Sequence, residues 1–190
     1  FIDSPVNQGG QTTLRCTLTN PSSVHAASGI QFKVPINEFI DGAVVSILPS
    51  ANSCGIGSTF ASQTNGNDWW VQISNGSLAA GANCTFDIVI QLPSGGSIGV
   101  FVNTVDDLTA TVNGELLSSP SSSASLTVLP FVRMSKSLSG PVGQGNTVDL
   151  TYTLSLDAGA STDATGITFT DDLSNVIAGF PLIPTGLPLS

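Results

Sequence analysis

Between residues 84 and 92 every second side chain is apolar: Cys84, Phe86, Ile88, Ile90 and Leu92 alternate with Thr85, Asp87, Val89 and Gln91. A helix would scatter those five around its axis, whereas a strand sets them on one face. The same period recurs where Leu14, Cys16 and Leu18 alternate with Thr13, Arg15, Thr17 and Thr19. It recurs again at Trp69, Val71 and Ile73, which predicts Trp69 in the core and Trp70 outward beside Gln72 and Ser74. Further strands are expected near 29–34, 43–48, 98–103, 108–112 and 124–129. Turn signals stand between them: Asn20-Pro21, Asn65-Gly66-Asn67, Asn75-Gly76, the Pro93–Gly96 run read as a hairpin turn, and Asn113-Gly114. No segment carries a helical stripe, and the good helix formers Glu and Lys are reduced to Glu38, Glu115, Lys33 and Lys136. The expected fold is all-β, an antiparallel β-sandwich of immunoglobulin-like type.

One stretch is written twice. Pro5-Val6 with Gln8-Gly9 and the strand Thr13-Leu-Arg-Cys-Thr-Leu18 returns as Pro141-Val142 with Gln144-Gly145 and Asp149-Leu-Thr-Tyr-Thr-Leu154. After one inserted residue, Gly29-Ile30-Gln31-Phe32 is answered by Gly166-Ile167-Thr168-Phe169, so the offset is 136 residues and then 137. A fixed period of this kind marks tandem modules. The alternating Ala124-Ser-Leu-Thr-Val128 is read as the last strand of the first module, which places the boundary at Leu129-Pro130-Phe131. Residues 1–130 are then one complete repeat, and 131–190 the N-terminal part of a second. So short a junction makes a semi-rigid connection.

Charged residues are only 9% of the chain, against roughly 25% in ordinary soluble domains. The net charge of −9 reflects the scarcity of bases, and nucleic-acid binding, which needs clustered Lys and Arg, is excluded. No apolar run reaches the roughly 18 residues that span a bilayer, so no membrane insertion of this segment is expected. Of three cysteines, Cys16 occupies a slot that the second copy fills with Tyr152, which reads as core packing. Cys54 and Cys84 remain, each beside Gly, Ser or Asn near a strand end, and are predicted to form a disulfide, with two free thiols as the alternative. A disulfide implies an oxidising, extracytoplasmic setting.

Taken together, Pro5-Val6-x-x-Gly9-Gly10, Thr17-Leu18-Thr19-Asn20-Pro21, Gly29-Ile30-x-Phe32, Cys54-Gly55 and the run from Gly76 to Cys84 resemble a bacterial conserved repeat called domain of unknown function eleven and its close relatives. The second copy resembles it through Lys136-Ser137, Pro141-Val142 and Thr168-Phe-Thr-Asp-Asp-Leu173, whereas copy one departs from it at Lys33-Val34-Pro35. The resemblance covers almost the whole chain and contains no catalytic residue. It implies an immunoglobulin-like repeat of large exported bacterial proteins, at the cell surface or outside it, acting as stalks, adhesins or coats.

His25, the single histidine, lies in a Ser- and Ala-rich loop with no nucleophile pattern around it, so a catalytic base is not expected there. Asp106-Asp107 and Asp171-Asp172 are adjacent pairs, which on strands would point to opposite faces and could not act together on a sugar. Asp157, Asp163, Asp171 and Asp172 are a candidate calcium set, with solvated loop acids as the alternative and no other cofactor or metal expected. Trp70 is the candidate surface contact, for a sugar ring or a neighbouring protein. Asn75-Gly-Ser77 and Asn83-Cys-Thr85 fit the glycosylation sequon. Lys136, on the apolar parity of its strand, is the candidate for a Lys–Asn isopeptide bond, whereas Lys33 faces outward.

The expected function is therefore non-enzymatic: a structural repeat whose partners are neighbouring repeats or subunits, and surface glycans or cell-surface proteins. One alternative is a subunit of a self-assembling extracellular filament, its second module completed by strands from a neighbouring chain. Another is a carbohydrate-binding module using Trp70.

Overall fold

The computed structural model describes residues 1–140, 148–156 and 164–171, and among them there are thirteen strands and no helix. In chain order they are β1 (Val6–Asn7), β2 (Gln11–Thr19), β3 (Ala27–Pro35), β4 (Val44–Ile47), β5 (Thr59–Asn65), β6 (Asp68–Leu78) and β7 (Asn83–Gln91). Then follow β8 (Gly99–Val105), β9 (Thr109–Val112), β10 (Glu115–Ser118), β11 (Ser122–Leu129), β12 (Val132–Leu138) and β13 (Leu150–Leu156). They form a five-stranded sheet β10-β9-β3-β6-β5, two three-stranded sheets β2-β7-β4 and β1-β11-β8, and a two-stranded ribbon β12-β13. Every pairing is antiparallel except β1 with β11. The chain is all-β, with sheets stacked as in a sandwich.

The alternating stripes do what their period requires. Phe86, Ile88 and Ile90 of β7 turn one way, Leu14 of β2 joins them, and Ile30, Phe32 and Val34 of β3 with Val71 and Ile73 of β6 meet them from the five-stranded sheet. The Phe86 ring lies 4.9 Å from Phe60 of β5 and 6.2 Å from Phe32, which fixes the contact between the layers. Leu126 and Val128 of β11 close the same core. Burying each such side chain stabilises the fold by about 1.5–3 kcal/mol relative to exposure.

Several local expectations need correcting. Asn75-Gly76 is not a turn: it lies inside β6, where Asn75 takes φ 57° and the β3 register slips between Phe32↔Ile73 and Ile30↔Gly76. The pair is a bulge. A Cβ on Gly76 would stand 3.0 Å from that of Ile30, so the close approach of β3 favours glycine there. Nor does Pro93–Gly96 close a hairpin, because β7 pairs with β2 and β4 while β8 pairs with β11; the turn carries the chain between sheets. By contrast Asn113-Gly114 joins β9 to β10 with both residues at positive φ, 52° and 79°, as a two-residue hairpin demands.

Asn20, expected only as a turn signal, is a buried clamp. Its amide nitrogen donates to the carbonyls of His25 at 2.9 Å and Ala79 at 3.0 Å, tying the β2–β3 loop to the β6–β7 turn. Replacing it by an apolar residue would strand those carbonyls.

Candidate functional site

Cys54 and Cys84 form a disulfide across 30 residues, and both are buried in the core. Cys84 opens β7 opposite Leu18, so the bond ties the loop ahead of β5 to the β2–β7 ladder. Gly55 follows at φ 94°, and a Cβ there would fall 2.2 Å from Ser77 Oγ and 2.3 Å from the Ser77 carbonyl oxygen. The Ser77 N–H donates to the Cys54 carbonyl at 2.8 Å, so the Cys54-Gly55 pair exists to bring this loop hard against β6. Cys16 is the free cysteine, half-buried opposite Phe86 as the alternation of β2 requires. Burial, and then the nearby charge of Asp87, push its thiol up to about 11, so it is neither a nucleophile nor a ligand at neutral pH.

Trp69 is more exposed than its parity predicts, and Trp70 is less so. Trp69 does share the parity of Val71 and Ile73, yet it is 44% exposed, because β6 begins beyond the edge of the core, next to the Gly66-Asn67 hairpin turn. Trp70, on the outer face between Pro35 and Gln63, is half-covered: the Lys33 ammonium stands 5.0 Å from its ring centroid, and its indole nitrogen is buried without a partner. The more exposed ring is therefore Trp69, while Trp70 lies on the outer face as expected but half-covered.

Two recesses mark the surface, one of them lined by Trp69. One, of about 640 Å³, lies over the outer face of β3 and β6, lined by Lys33, Gln72, Asp106, Asp107, Ser118 and neighbours. The adjacent carboxylates are not held apart here, contrary to expectation. Asp106 and Asp107 lie in the crossover from β8 to β9, outside any strand, so parity does not separate them and both reach the same recess. Gln72 donates its amide to the carbonyls of Phe32 and Ile73 at 3.1 and 2.9 Å. The second recess, of about 430 Å³, is lined by Trp69, Val44, Asn37, Asp41, Asn67 and the backbone of residues 42–43.

Of the calcium set, Asp157, Asp163 and Asp172 lie outside the described residues. The Asp171 carboxylate is engaged by the Lys136 ammonium at 2.6 Å and by the Tyr152 hydroxyl, contacts that hold it below the usual carboxylate range and raise the tyrosine. Among the described residues no three His, Cys, Asp or Glu side chains gather as metal ligands. Lys136 does lie on the apolar parity of β12, but that face is open and its nitrogen is in an ion pair, which removes the burial an isopeptide bond needs. His25 is exposed in its loop, with its backbone N–H bonded to Ser22 Oγ. No described helix is long and apolar enough to cross a membrane.

No curated protein matches the chain. Residues 1–128, the stretch that carries the disulfide, the tryptophan pair and both recesses, match the family described as domain of unknown function DUF7933, and the chain belongs to that family.

Proposed function

We propose that the chain is a non-enzymatic structural repeat of an exported bacterial protein, an immunoglobulin-like module strung in tandem as a stalk or fibre at the cell surface. Its main support is that β13 restates β2. Leu150, Tyr152 and Leu154 take the places of Leu14, Cys16 and Leu18, and in or just ahead of each strand a carbonyl accepts a backbone hydrogen bond from an earlier segment. The Thr13 carbonyl accepts from the Ile2 N–H at 3.0 Å, and the corresponding Asp149 carbonyl accepts from the Ser139 N–H at 2.9 Å. The junction is short, since β11 ends at Leu129 and β12 starts at Val132, and Arg133 reaches back to the Ser94 carbonyl at 3.0 Å. Such tethering suits a stalk that transmits direction rather than a floppy string. A core disulfide supports an oxidising compartment.

Antibodies raised against this chain are expected to label intact cells of the source bacterium. Labelling that appears only after permeabilisation would remove the surface reading.

A second reading, a filament in which a neighbouring copy covers the second module, is favoured by one observation. The β12–β13 ribbon pairs Met134 with Leu154 and Leu138 with Leu150 on a face where Met134, Leu138 and Leu154 remain 51%, 61% and 37% exposed.

A further inference from the structure

We infer that the recess beside Trp69 is a binding site for a neutral saccharide. The inference goes beyond the structural-repeat reading and stands or falls separately from it. Exposing a tryptophan costs the hydrophobic gain of burying it, and this chain has only two. Trp69 is nonetheless held in the open by a dedicated set of bonds. Its backbone N–H donates to Asn37 Oδ1 at 2.7 Å, and its carbonyl accepts from the Ile36 N–H at 2.8 Å. Asn37 spends its other end on the Asn67 carbonyl, so one side chain fixes both the tryptophan and the hairpin turn next to it. The backbone beneath the ring is thus fixed, which lowers the ordering cost of capturing a small ligand.

The lining specifies the chemistry. Trp69 and Val44, each close to half-exposed, form an apolar floor suited to the C–H face of a sugar ring. Asp41 and the Asn67 amide stand at its rim and have no side-chain partner among the described residues, which leaves a carboxylate and an amide to meet vicinal hydroxyls. Asp41 is the single charged side chain in the lining, and the whole chain carries −9, so acidic sugars are repelled and neutral ones are not. The volume of about 430 Å³ falls within the range of small-ligand sites, about 300–1,000 Å³. The larger recess has no tryptophan in its lining, and the Trp70 ring is already occupied by the Lys33 ammonium.

The test uses the intact chain and a panel of neutral probes: cellotetraose, maltotetraose, chitotetraose and a β-galactotetraose. In a Trp70→Phe variant, Trp69 is the sole tryptophan, and at least one probe is expected to shift its fluorescence saturably. Trp69→Ala should weaken that probe at least tenfold by calorimetry, Trp69→Tyr should restore part of the loss, and Asp41→Asn should weaken it severalfold. The bonds that hold residue 69 are to its backbone, so these variants should keep the wild-type melting temperature, which far-ultraviolet dichroism checks. Absence of binding by every probe at millimolar concentration overturns the inference. So does binding that survives Trp69→Ala, or binding that is lost in Trp70→Phe, which would move the site to the Trp70 ring.

Discussion

Cys16 shows how far a single side chain is fixed by its place in a strand. Its thiol stays protonated in the fold up to about 11, against 9.0 as the ordinary value, because burial and the Asp87 carboxylate both oppose a thiolate. In the unfolded chain it ionises earlier. Folding stability is therefore undiminished below pH 9, and falls as pH rises toward 11, where the folded thiol ionises too. At about 1.4 kcal/mol per pKa unit, discounted for the remaining solvent contact, the loss is about 2 kcal/mol. Denaturant titrations at pH 8 and at pH 11 should show Cys16→Ala losing less stability over that interval than wild type; equal losses would refute the assignment. This slot was legible from the sequence, since Cys16 shares its parity with Leu14 and Leu18 and is replaced by Tyr152 in the second copy. Trp69 was legible only in direction. Parity gives the face of the sheet, but whether anything covers that face depends on where the core ends, and β6 runs past it. The aspartate pair 106–107 was misread for a related reason: parity holds only inside a strand, and the crossover frees both side chains.

Among elements, β7 organises the molecule, since it pairs with β2 and β4, supplies Phe86, Ile88 and Ile90 to the core, and begins at the disulfide. Its alternation made it the plainest strand in the sequence. Partners are a different matter, because period two says which way residues point and nothing about which strand lies alongside. Hence the Pro93–Gly96 turn reads as a hairpin in the sequence although it changes sheets. The strands β5 and β10 were missed altogether, their mostly exposed, polar or edge-facing residues giving no stripe to read. The disulfide anchors the start of β7 to a loop that reaches β6 only because Gly55 leaves room for Ser77. Closing a loop over a separation of 30 residues is worth about 3.6 kcal/mol of unfolded-state entropy by the chain-entropy estimate. Cys54→Ala with Cys84→Ala, or reduction of the wild type, should therefore lower unfolding free energy by about 2–4 kcal/mol. Chemical denaturation with and without reductant measures it, and a midpoint unchanged by reduction would count against the bond as a staple.

At the scale of the whole molecule, the two similar stretches of sequence differ in burial among the described residues. In the first, Ile30 and Phe32 follow the Gly29 position and are buried to 4% and 3% exposure under β7. Their counterparts Ile167 and Phe169 are 45% and 44% exposed, and Phe169 rests against Tyr152 with ring centroids 5.2 Å apart. The β12–β13 ribbon shows the same asymmetry, with Arg133, Ser135 and Ser137 on one face and Met134, Leu138, Leu150 and Leu154 on the other. A two-stranded ribbon is marginal in water by itself, and what stabilises such a stripe is a second layer laid across it. The Lys136–Asp171 ion pair is too exposed to substitute for that layer, as surface pairs contribute little. If strands of a neighbouring copy cover this face, association must grow with concentration and must depend on the face being apolar. Sedimentation velocity from micromolar to near-millimolar chain should then show a rising weight-average coefficient, and Leu154→Lys should abolish the rise while leaving the melting of the first module unchanged. A chain that stays monomeric across that range, or a Leu154→Lys variant that associates as wild type does, would rule out completion by a neighbour and leave the tandem stalk as the reading that accounts for the repeat.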